Sequence, residues 1–281
     1  MFGAAWAAVL VRLAGAPPAT VAFWRLVFSL LLPTIPALLI TGSWRQLLTS
    51  RRVEWVWMVV AGACLALHFV TWFASLGYTS VASSTVLLAT HPLWVGLLSA
   101  LFLREPPARL EWIGIAAAVA GAAIVGWGDV RVGSDPFLGD GLALLAALML
   151  AVYVIAGRRV RPRVGLWSYV TVVYAVGAVL TGVLAIASGA ELTGYPASTW
   201  WIFAALAAGP MLLGHTGFNW ALRYVRAYVV SVLQLLEPIG ATIIAVLILG
   251  RGEVPSANTL VGGVVILVGV WVAIRAAHRR V

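Results

Sequence analysis

Ten long apolar runs, separated by short polar breaks, follow one another along this 281-residue chain. Most are long enough to cross the ~30 Å hydrocarbon core of a bilayer as a helix. Hydrophobic residues make up 63% of the chain and charged residues 10%, against roughly a quarter charged in water-soluble domains. A folded sphere of this size cannot hide so much apolar surface from water. The pattern therefore predicts an all-α membrane protein with no separate extramembrane domain.

The predicted membrane helices are defined by the apolar runs and by the turn-forming residues between them. They cover residues 2–15, 19–41, 55–76, 82–102, 112–128, 140–157, 166–188, 200–222, 228–250 and 259–277. The first run is short, ~21 Å at 1.5 Å per residue. We expect that part of the native first helix precedes it, with a short helix anchored by interfacial side chains as the alternative.

The arginines are distributed unevenly between the two sides that ten spans define. If the N-terminus is cytoplasmic, the inner loops and the C-terminal tail contain 14 of the 18 arginines and the outer loops two. Because cationic loops resist translocation, both termini are predicted to face the cytoplasm of a bacterial or archaeal inner (plasma) membrane. The net charge of +9 is then explained by the orientation of the chain in the membrane. Because the arginines are dispersed, they do not indicate nucleic-acid binding. The cluster 158–163 is interpreted as an anchor that contacts anionic lipid.

The two halves of the chain are similar to each other at offsets of 146 and then 148 residues. The equivalent positions are Leu76 and Leu222, Tyr78 and Tyr224, Pro92 and Pro238, Glu105 and Glu253, Pro107 and Pro255, Gly114 and Gly262, and Gly121 and Gly269. We infer a first repeat over 1–128, a linker over 129–139 and a second repeat over 140–281. Five helices per repeat is an odd number, so the second repeat starts on the opposite side of the membrane. The predicted fold is therefore two inverted five-helix repeats around a central cavity.

Several local sequences carry a resemblance to a known family. They are Trp24-Arg25, the segment 74–78 before the Pro92 helix, Leu103-Arg104-Glu105, and in the second half the segment 221–224, Glu237-Pro238, Glu253, Gly262 and Gly269. In these positions the chain resembles the drug/metabolite transporter superfamily, in its EamA-type branch with two EamA repeats. The resemblance covers nearly the whole chain. It implies a transporter and export of an amino acid, metabolite or drug, without specifying which.

Glu237 is the strongest candidate for a functional side chain inside the membrane, since an ionisable group there is costly. It lies ~15 Å into its predicted helix, and Pro238 frees the carbonyl of Gln234 by lacking an amide hydrogen. At the equivalent position of the first repeat, His91 precedes Pro92, which frees the carbonyl of Leu88. Both prolines are predicted to kink their helices. Solute or proton binding by Glu237 and His91 is one interpretation; the other is that Glu237 pairs with Arg25 or with a backbone amide.

Five further polar or aromatic residues inside the spans are candidates for binding or coupling. His68 and Trp72 share a helix face and could hold a polar or cationic solute, or His68 could simply bond to a neighbouring helix. His215 and Asn219 share another face, as pathway lining or as an interhelical contact. Arg25 is interpreted either as an anchor for an anionic group or as a structural partner of Glu237.

The fifth and tenth predicted helices carry glycines at regular spacing. Gly114 and Gly121 in one, and Gly262 and Gly269 in the other, form faces on which helices can approach closely. These faces could pack against the other repeat of the same chain or against a second copy of the chain. The protein is therefore predicted to be a monomer or a homodimer.

No arrangement of residues indicates an enzyme, a cofactor or a metal site. The histidines lie on separate helices without metal-ligand spacing, and there is no phosphate-binding glycine loop. We therefore predict a secondary transporter that moves a small polar metabolite, with export as the expected direction. Its partners would be that solute, membrane lipid and, as one option, a coupling proton carried by Glu237. The alternatives are an intramembrane lipid-modifying enzyme and a scramblase-type structural protein.

Overall fold

The structure is a computed structural model that describes residues 5–103, 109–128, 134–224 and 237–278, with single positions 227, 230, 231 and 234. In this part of the chain the helices are joined by turns and irregular segments, without a strand. The α-helices are α1 (Ala7–Leu13), α2 (Pro18–Ser29), α3 (Ile35–Ile40), α4 (Trp44–Thr49), α5 (Arg52–Tyr78), α6 (Val81–Leu88), α7 (His91–Leu103), α8 (Arg109–Gly128), α9 (Pro136–Val160), α10 (Leu166–Ala187), α11 (Ala197–Leu206), α12 (Gly217–Ala221), α13 (Glu237–Leu249) and α14 (Ala257–His278).

Six helical stretches are long and apolar enough to cross a membrane, by length and composition. They are Pro18–Ile40, Arg52–Tyr78, Val81–Phe102, Pro136–Val160, Leu166–Ala187 and Ala197–Ala221. Shorter apolar helices cover Trp112–Val125, Ile239–Leu249 and Ala257–Ala273. The six long stretches agree with predicted spans to within a few residues. The full count of ten spans stays a prediction. The predicted break at 104–107 falls outside the described residues, as do residues 129–133 of the predicted linker over 129–139.

Two spans contain π-helical segments that the apolar pattern did not indicate. Leu30–Thr34 joins α2 to α3 around Pro33, and Ala207–Thr216 joins α11 to α12 around Pro210. Proline removes one helical amide and displaces the preceding turn, so a widened turn is a common local response. The second segment contains His215 and therefore influences where that side chain lies.

Two segments differ from the sequence-based expectation. The predicted helix over 82–102 is interrupted by a turn at Ala89 and Thr90, because Pro92 cannot supply the next helical amide. The predicted break over 42–54 contains the short helix α4.

Neighbouring long helices pack antiparallel. Gly177 and Gly182 of α10 lie against Leu26 and Phe23 of α2 in reversed order. In the same way, α5 runs against α9, since His68 bonds to Ala146 while Arg159 lies over Trp57 nearer the other end of both helices. The termini of these helices define two opposite ends of the bundle.

Four glycines bring α8 and α14 into backbone contact. A Cβ atom on Gly114 would lie 2.3 Å from the carbonyl oxygen of Gly269, and one on Gly121 would lie 2.7 Å from that of Gly262. The reverse contacts, from Gly262 to Gly121 and from Gly269 to Gly114, would both be 2.6 Å. The two helices therefore run antiparallel. Each glycine of one half contacts the partner of its own equivalent in the other half: Gly114 contacts Gly269, and Gly262 contacts Gly121.

Candidate functional site

The break between α6 and α7 presents His91 about halfway along the Val81–Phe102 span. Its Nδ1 lies 3.2 Å from the carbonyl oxygen of Leu88, which Pro92 leaves without a helical donor. The imidazole thus replaces the missing amide as the donor to that carbonyl. His91 is buried and also interacts with the Gln234 side chain.

Two adjoining cavities, each of about 20 Å³, lie beside His91. They share Leu88, Leu150, Gln234 and Glu237. The first is also lined by Thr85, Ala89 and His91, and the second by Ala7, Arg25, His68, Trp72, Pro210, His215 and Phe218. A cavity of this volume has room for about one water molecule. A metabolite does not fit in such a volume, so one could bind at this polar centre only after the helices move apart.

Arg25 is the most unusual side chain at this centre. It is 1% exposed, and its guanidinium carbon lies 4.2 Å from the centroid of the Phe69 ring. Its Nε and Nη1 atoms are buried without a hydrogen-bond partner among the described residues. Glu237 acts on Arg25 electrostatically, but the two do not form an ion pair within 4.0 Å. The structure thus shows no direct pairing of Arg25 with Glu237.

His68, Trp72 and His215 line the second cavity together. The Nδ1 of His68 lies 3.0 Å from the carbonyl oxygen of Ala146 in α9. The His68 ring is stacked on the Trp72 ring, with their centroids 5.9 Å apart. The centroids of the His68 and His215 rings are 6.0 Å apart. The indole nitrogen of Trp72 and Nδ1 of His215 are buried and have no partner in the described part of the chain. His68 is thus anchored to a neighbouring helix and also lines the cavity.

The remaining residues singled out in the sequence lie elsewhere. Asn219 lines neither cavity; its side-chain amide donates to the hydroxyl of Tyr153. Pro92 is buried directly after the break before α7, whereas the side chain of Pro238 lies outside the described residues. The glycines at 114, 121, 262 and 269 belong to the α8–α14 interface.

An ion pair ties the two halves together at one end of the bundle. Arg12 of α1 lies 3.0 Å from Glu253 and donates a 2.7 Å hydrogen bond to the carbonyl oxygen of Thr79. The other oxygen of Glu253 accepts the amide of Val81 at 2.8 Å. We call Arg12 and Glu253 the latch. A cavity of about 270 Å³ adjoins Arg12 and is lined in part by Phe73 and Leu76.

At the opposite end, arginines bind the C-terminal carbonyls of the Ala197–Ala221 span. Arg161 donates from Nε to the carbonyl oxygen of Asn219 at 2.8 Å and from Nη1 to that of Val164. Arg158 donates to the carbonyl oxygen of Leu222 at 2.8 Å. Burial lowers the pKa of Arg161 from its ordinary value to about 10, so it stays charged at neutral pH. The carbonyls at the end of a helix are free and attract cations. The lipid contact predicted for the cluster stays a prediction.

Replacing Arg161 with methionine is expected to lower the free energy of unfolding by about 3 kcal/mol, because charge-assisted hydrogen bonds to two buried carbonyls are lost. Thermal unfolding of purified protein in detergent would measure the change. The Arg163→Met variant is the matched control, since Arg163 is exposed in the same turn. Equal stability of the two variants would show that the Arg161 bonds contribute nothing.

Several residues of the centre were not singled out in the sequence. Phe69 supports Arg25, and Thr85 and Leu150 line the first cavity. Thr85 could have been found, because it lies one turn before Leu88 on the same face. The contact of Phe69 with Arg25 joins separate helices, and no local pattern in the sequence reports it.

The fold and this centre define a class: an integral membrane protein that encloses a buried polar site within apolar helices. The comparisons with known proteins are consistent with that class. The profile of the EamA-like transporter family matches residues 1–127 and 137–275. The chain therefore belongs to the EamA-like transporter family, which confirms the resemblance seen in the sequence.

Solved structures share this fold. One, described only as a crystal structure of a protein, superposes with a TM-score of 0.72 at 20% sequence identity. The alignment covers 99% of this chain and 95% of that one. At this identity the likeness concerns the fold alone. Among curated proteins no match is found.

Proposed function

We propose that the protein is a secondary transporter that carries a small polar solute across the inner membrane by alternating access, in the direction of export. The observation that carries the proposal is the enclosed polar centre. Arg25, His68, His91, His215, Gln234 and Glu237 line cavities inside apolar helices. Polar and ionisable groups at such a depth are costly unless they serve a solute or ion pathway.

The antiparallel glycine contacts of α8 and α14 support the inverted-repeat part of the proposal. Gly114 meets Gly269, and Gly121 meets Gly262. The sequence repeat aligns Gly114 with Gly262 and Gly121 with Gly269. Applied to one contacting pair, it therefore gives the other pair. An exchange of this kind between antiparallel helices is what a two-fold axis in the membrane plane produces. We therefore propose ten spans in two inverted units. The arginine distribution between the loops supports cytoplasmic termini in this arrangement.

The two ends of the bundle support alternating access. Residues of both halves are joined at one end by the latch. At the other end Arg159 donates to the carbonyl oxygen of Phe102 at 3.2 Å, and Gln46 donates to that of Arg163 at 3.1 Å. We infer that these contacts hold both ends closed in this state. Opening one end while the other stays closed would expose the same residues to each side in turn.

Replacing Glu237 with glutamine is expected to reduce transport at least tenfold, because the centre loses its carboxylate. The solute would first be found by a thermal-shift screen against amino acids, nucleobases, organic acids and quaternary amines. Counterflow in liposomes would then compare the wild type with Glu237→Gln. Glu191→Gln is the control, since that side chain is exposed.

Two outcomes would contradict parts of the proposal. If Glu237→Gln keeps both its rate and its pH dependence, Glu237 carries neither the solute nor a coupling proton. If liposomes with correctly inserted protein move none of the four solute classes but alter a lipid instead, the protein is not this kind of transporter.

A further inference from the structure

The cavity at the latch end is larger than the two at the polar centre. Its volume of about 270 Å³ corresponds to roughly nine water molecules at ~30 Å³ each. We call it the latch cavity. It is lined by residues 11, 12 and 15–18, around the end of α1 and the start of α2, and by Phe73, Leu76 and Gly77 near the end of α5. Among the described residues, none lines both the latch cavity and the polar centre.

The wall of the latch cavity is apolar apart from one cation. Phe73 and Leu76 are buried, and small residues and prolines form most of the remaining wall. Of the described residues that line the cavity, Arg12 is the one that carries a charge. Glu253, its partner in the latch, is buried and does not belong to the wall. A ligand in the cavity would therefore meet the guanidinium without a carboxylate beside it.

Arg12 has donors left for such a ligand. Nη1 lies 3.0 Å from Glu253, and Nη2 donates to the carbonyl oxygen of Thr79 at 2.7 Å. Each of these nitrogens carries two hydrogens, so the two contacts use only part of the donors. The side chain is 30% exposed and lines the cavity. An anionic group there could accept the remaining hydrogens in charge-assisted hydrogen bonds.

We propose that the latch cavity binds a small amphipathic anion and that this ligand loosens the latch. Its anionic group would lie on Arg12 and its apolar part against Phe73 and Leu76. The inference rests on the proposed transport function and adds a regulatory site to it. The anion is a free carboxylate or the headgroup of an anionic lipid, since both offer oxygen acceptors to a guanidinium.

Competition for one cation is the physical reason for the loosening. Two anionic groups beside the same guanidinium repel each other, so a bound anion weakens the attraction between Arg12 and Glu253. A ligand that binds more tightly when the latch is open shifts the population towards the open state. Phe73 also connects this site to the polar centre, because its ring centroid lies 5.8 Å from the guanidinium carbon of Arg25.

Hexanoate is a suitable probe, because it joins one carboxylate to a short apolar chain. Its binding to the wild-type protein in a neutral detergent is compared with that of 1-hexanol and of hexylamine by equilibrium dialysis. We expect hexanoate to bind about tenfold more tightly than either, since charge-assisted hydrogen bonds contribute roughly this factor or more.

Two short-chain lipids distinguish the sources of the anion. Dihexanoyl phosphatidylglycerol has an anionic headgroup, and dihexanoyl phosphatidylcholine has a headgroup without net charge. Both are added as competitors of bound hexanoate. Stronger competition by the phosphatidylglycerol would show that lipid headgroups enter the site, and equal competition by the two lipids would assign the site to free anions.

Variants locate the site. Arg12→Met is expected to remove the preference for hexanoate over 1-hexanol, whereas Arg251→Met, at an exposed arginine of the same end, should keep it. Gly77→Leu should weaken hexanoate binding, because a Cβ atom on Gly77 would meet nothing within 4 Å and a larger side chain can extend into the cavity. Gly141→Leu, at another open glycine, is its control. The wild-type comparison needs no variant, so the proposal stays testable if a variant fails to fold.

Accessibility of the polar centre tests the effect on the latch. A single thiol is introduced at the cavities by Leu88→Cys in a Cys64→Ala background and is labelled from the latch side with an impermeant reagent. We expect saturating hexanoate to raise the labelling rate about tenfold. In the Arg12→Met background hexanoate should have no effect, since the latch is already broken.

Failure of this proposal differs from failure of the transporter proposal. If 1-hexanol or hexylamine binds as tightly as hexanoate, or if Arg12→Met keeps the preference, the anion site is overturned. If hexanoate binds and the labelling rate stays the same, the proposed action on the latch is overturned. Counterflow of a solute without hexanoate would leave the transporter intact in both cases. If no solute undergoes counterflow, the proposed function itself fails.

Discussion

Replacing Gly114 with alanine is expected to destabilise the protein by about 3 kcal/mol. The added methyl group would lie 2.3 Å from the carbonyl oxygen of Gly269 and 2.7 Å from the amide nitrogen of Ala273. Both are backbone atoms, so relief requires that α8 and α14 move apart. Separation of the two helices would loosen the interface along its length, including the contact of Gly121 with Gly262.

Gly141→Ala is the matched control for this prediction. Gly141 lies in the exposed first turns of α9, and an added Cβ would meet nothing within 4 Å. Alanine favours the helix over glycine, so this variant should be slightly more stable than the wild type. Unfolding in mixed micelles would measure both variants. A Gly114→Ala protein as stable as Gly141→Ala would show that the two helices do not approach so closely.

The oligomeric state provides a second measurement. The four glycines contact each other within one chain, so they are not free to form a dimer interface. We therefore expect Gly114→Ala to leave the mass of the detergent-solubilised particle unchanged while lowering its stability. A change from dimer to monomer would instead assign the glycine face to dimerisation.

Replacing Arg12 with methionine is expected to open the latch end of the bundle. Glu253 is 7% exposed and would lose its counter-charge while keeping the amide of Val81. Because Arg12 is partly exposed, we expect a cost of about 2 kcal/mol rather than the larger cost of breaking a fully buried pair. That cost shifts the balance between closed and open states roughly 30-fold.

Accessibility of the centre would measure this shift. Cys64 is the single cysteine, so Cys64→Ala gives a background into which Leu88→Cys introduces one thiol at the cavities. An impermeant thiol reagent added from the latch side should label this thiol about 30-fold more in the Arg12→Met background, in proportion to the open population.

Two further variants define the cause. Exchange of the charges, Arg12→Glu with Glu253→Arg, should restore slow labelling. Arg251→Met, at an exposed arginine of the same turn, should have no effect. Unchanged labelling in the Arg12→Met background would show that the latch does not hold this end closed.

The depth and pattern of polar residues in the sequence indicated most of the polar centre. A charged or imidazole side chain inside a long apolar run is conspicuous, since lipid tolerates few such groups. Glu237, His91, His68 and Arg25 were singled out for this reason, and the structure places all four around the two cavities. Asn219 was given two interpretations, pathway lining or an interhelical contact, and in the structure its side-chain amide bonds to Tyr153 of α9.

Apolar runs also indicated the long helices, because a bilayer requires both their length and their composition. The backbone hydrogen bonding around the prolines could be predicted only in part from the sequence. Pro92 indicates a free carbonyl at Leu88, yet the sequence does not say that His91 itself would bind it. The π-helical segment around Pro210 depends on how the displaced turn packs against its neighbours.

The sequence by itself determined the membrane class, the internal repeat and the family, because hydrophobic length and recurring residues are properties of the chain alone. Tertiary structure decided which charges meet. Arg12 and Glu253 are 241 residues apart and form an ion pair, whereas Arg25 and Glu237 share a cavity without touching. Electrostatic energy depends on distances of a few ångströms, and only the packing of whole helices sets those distances.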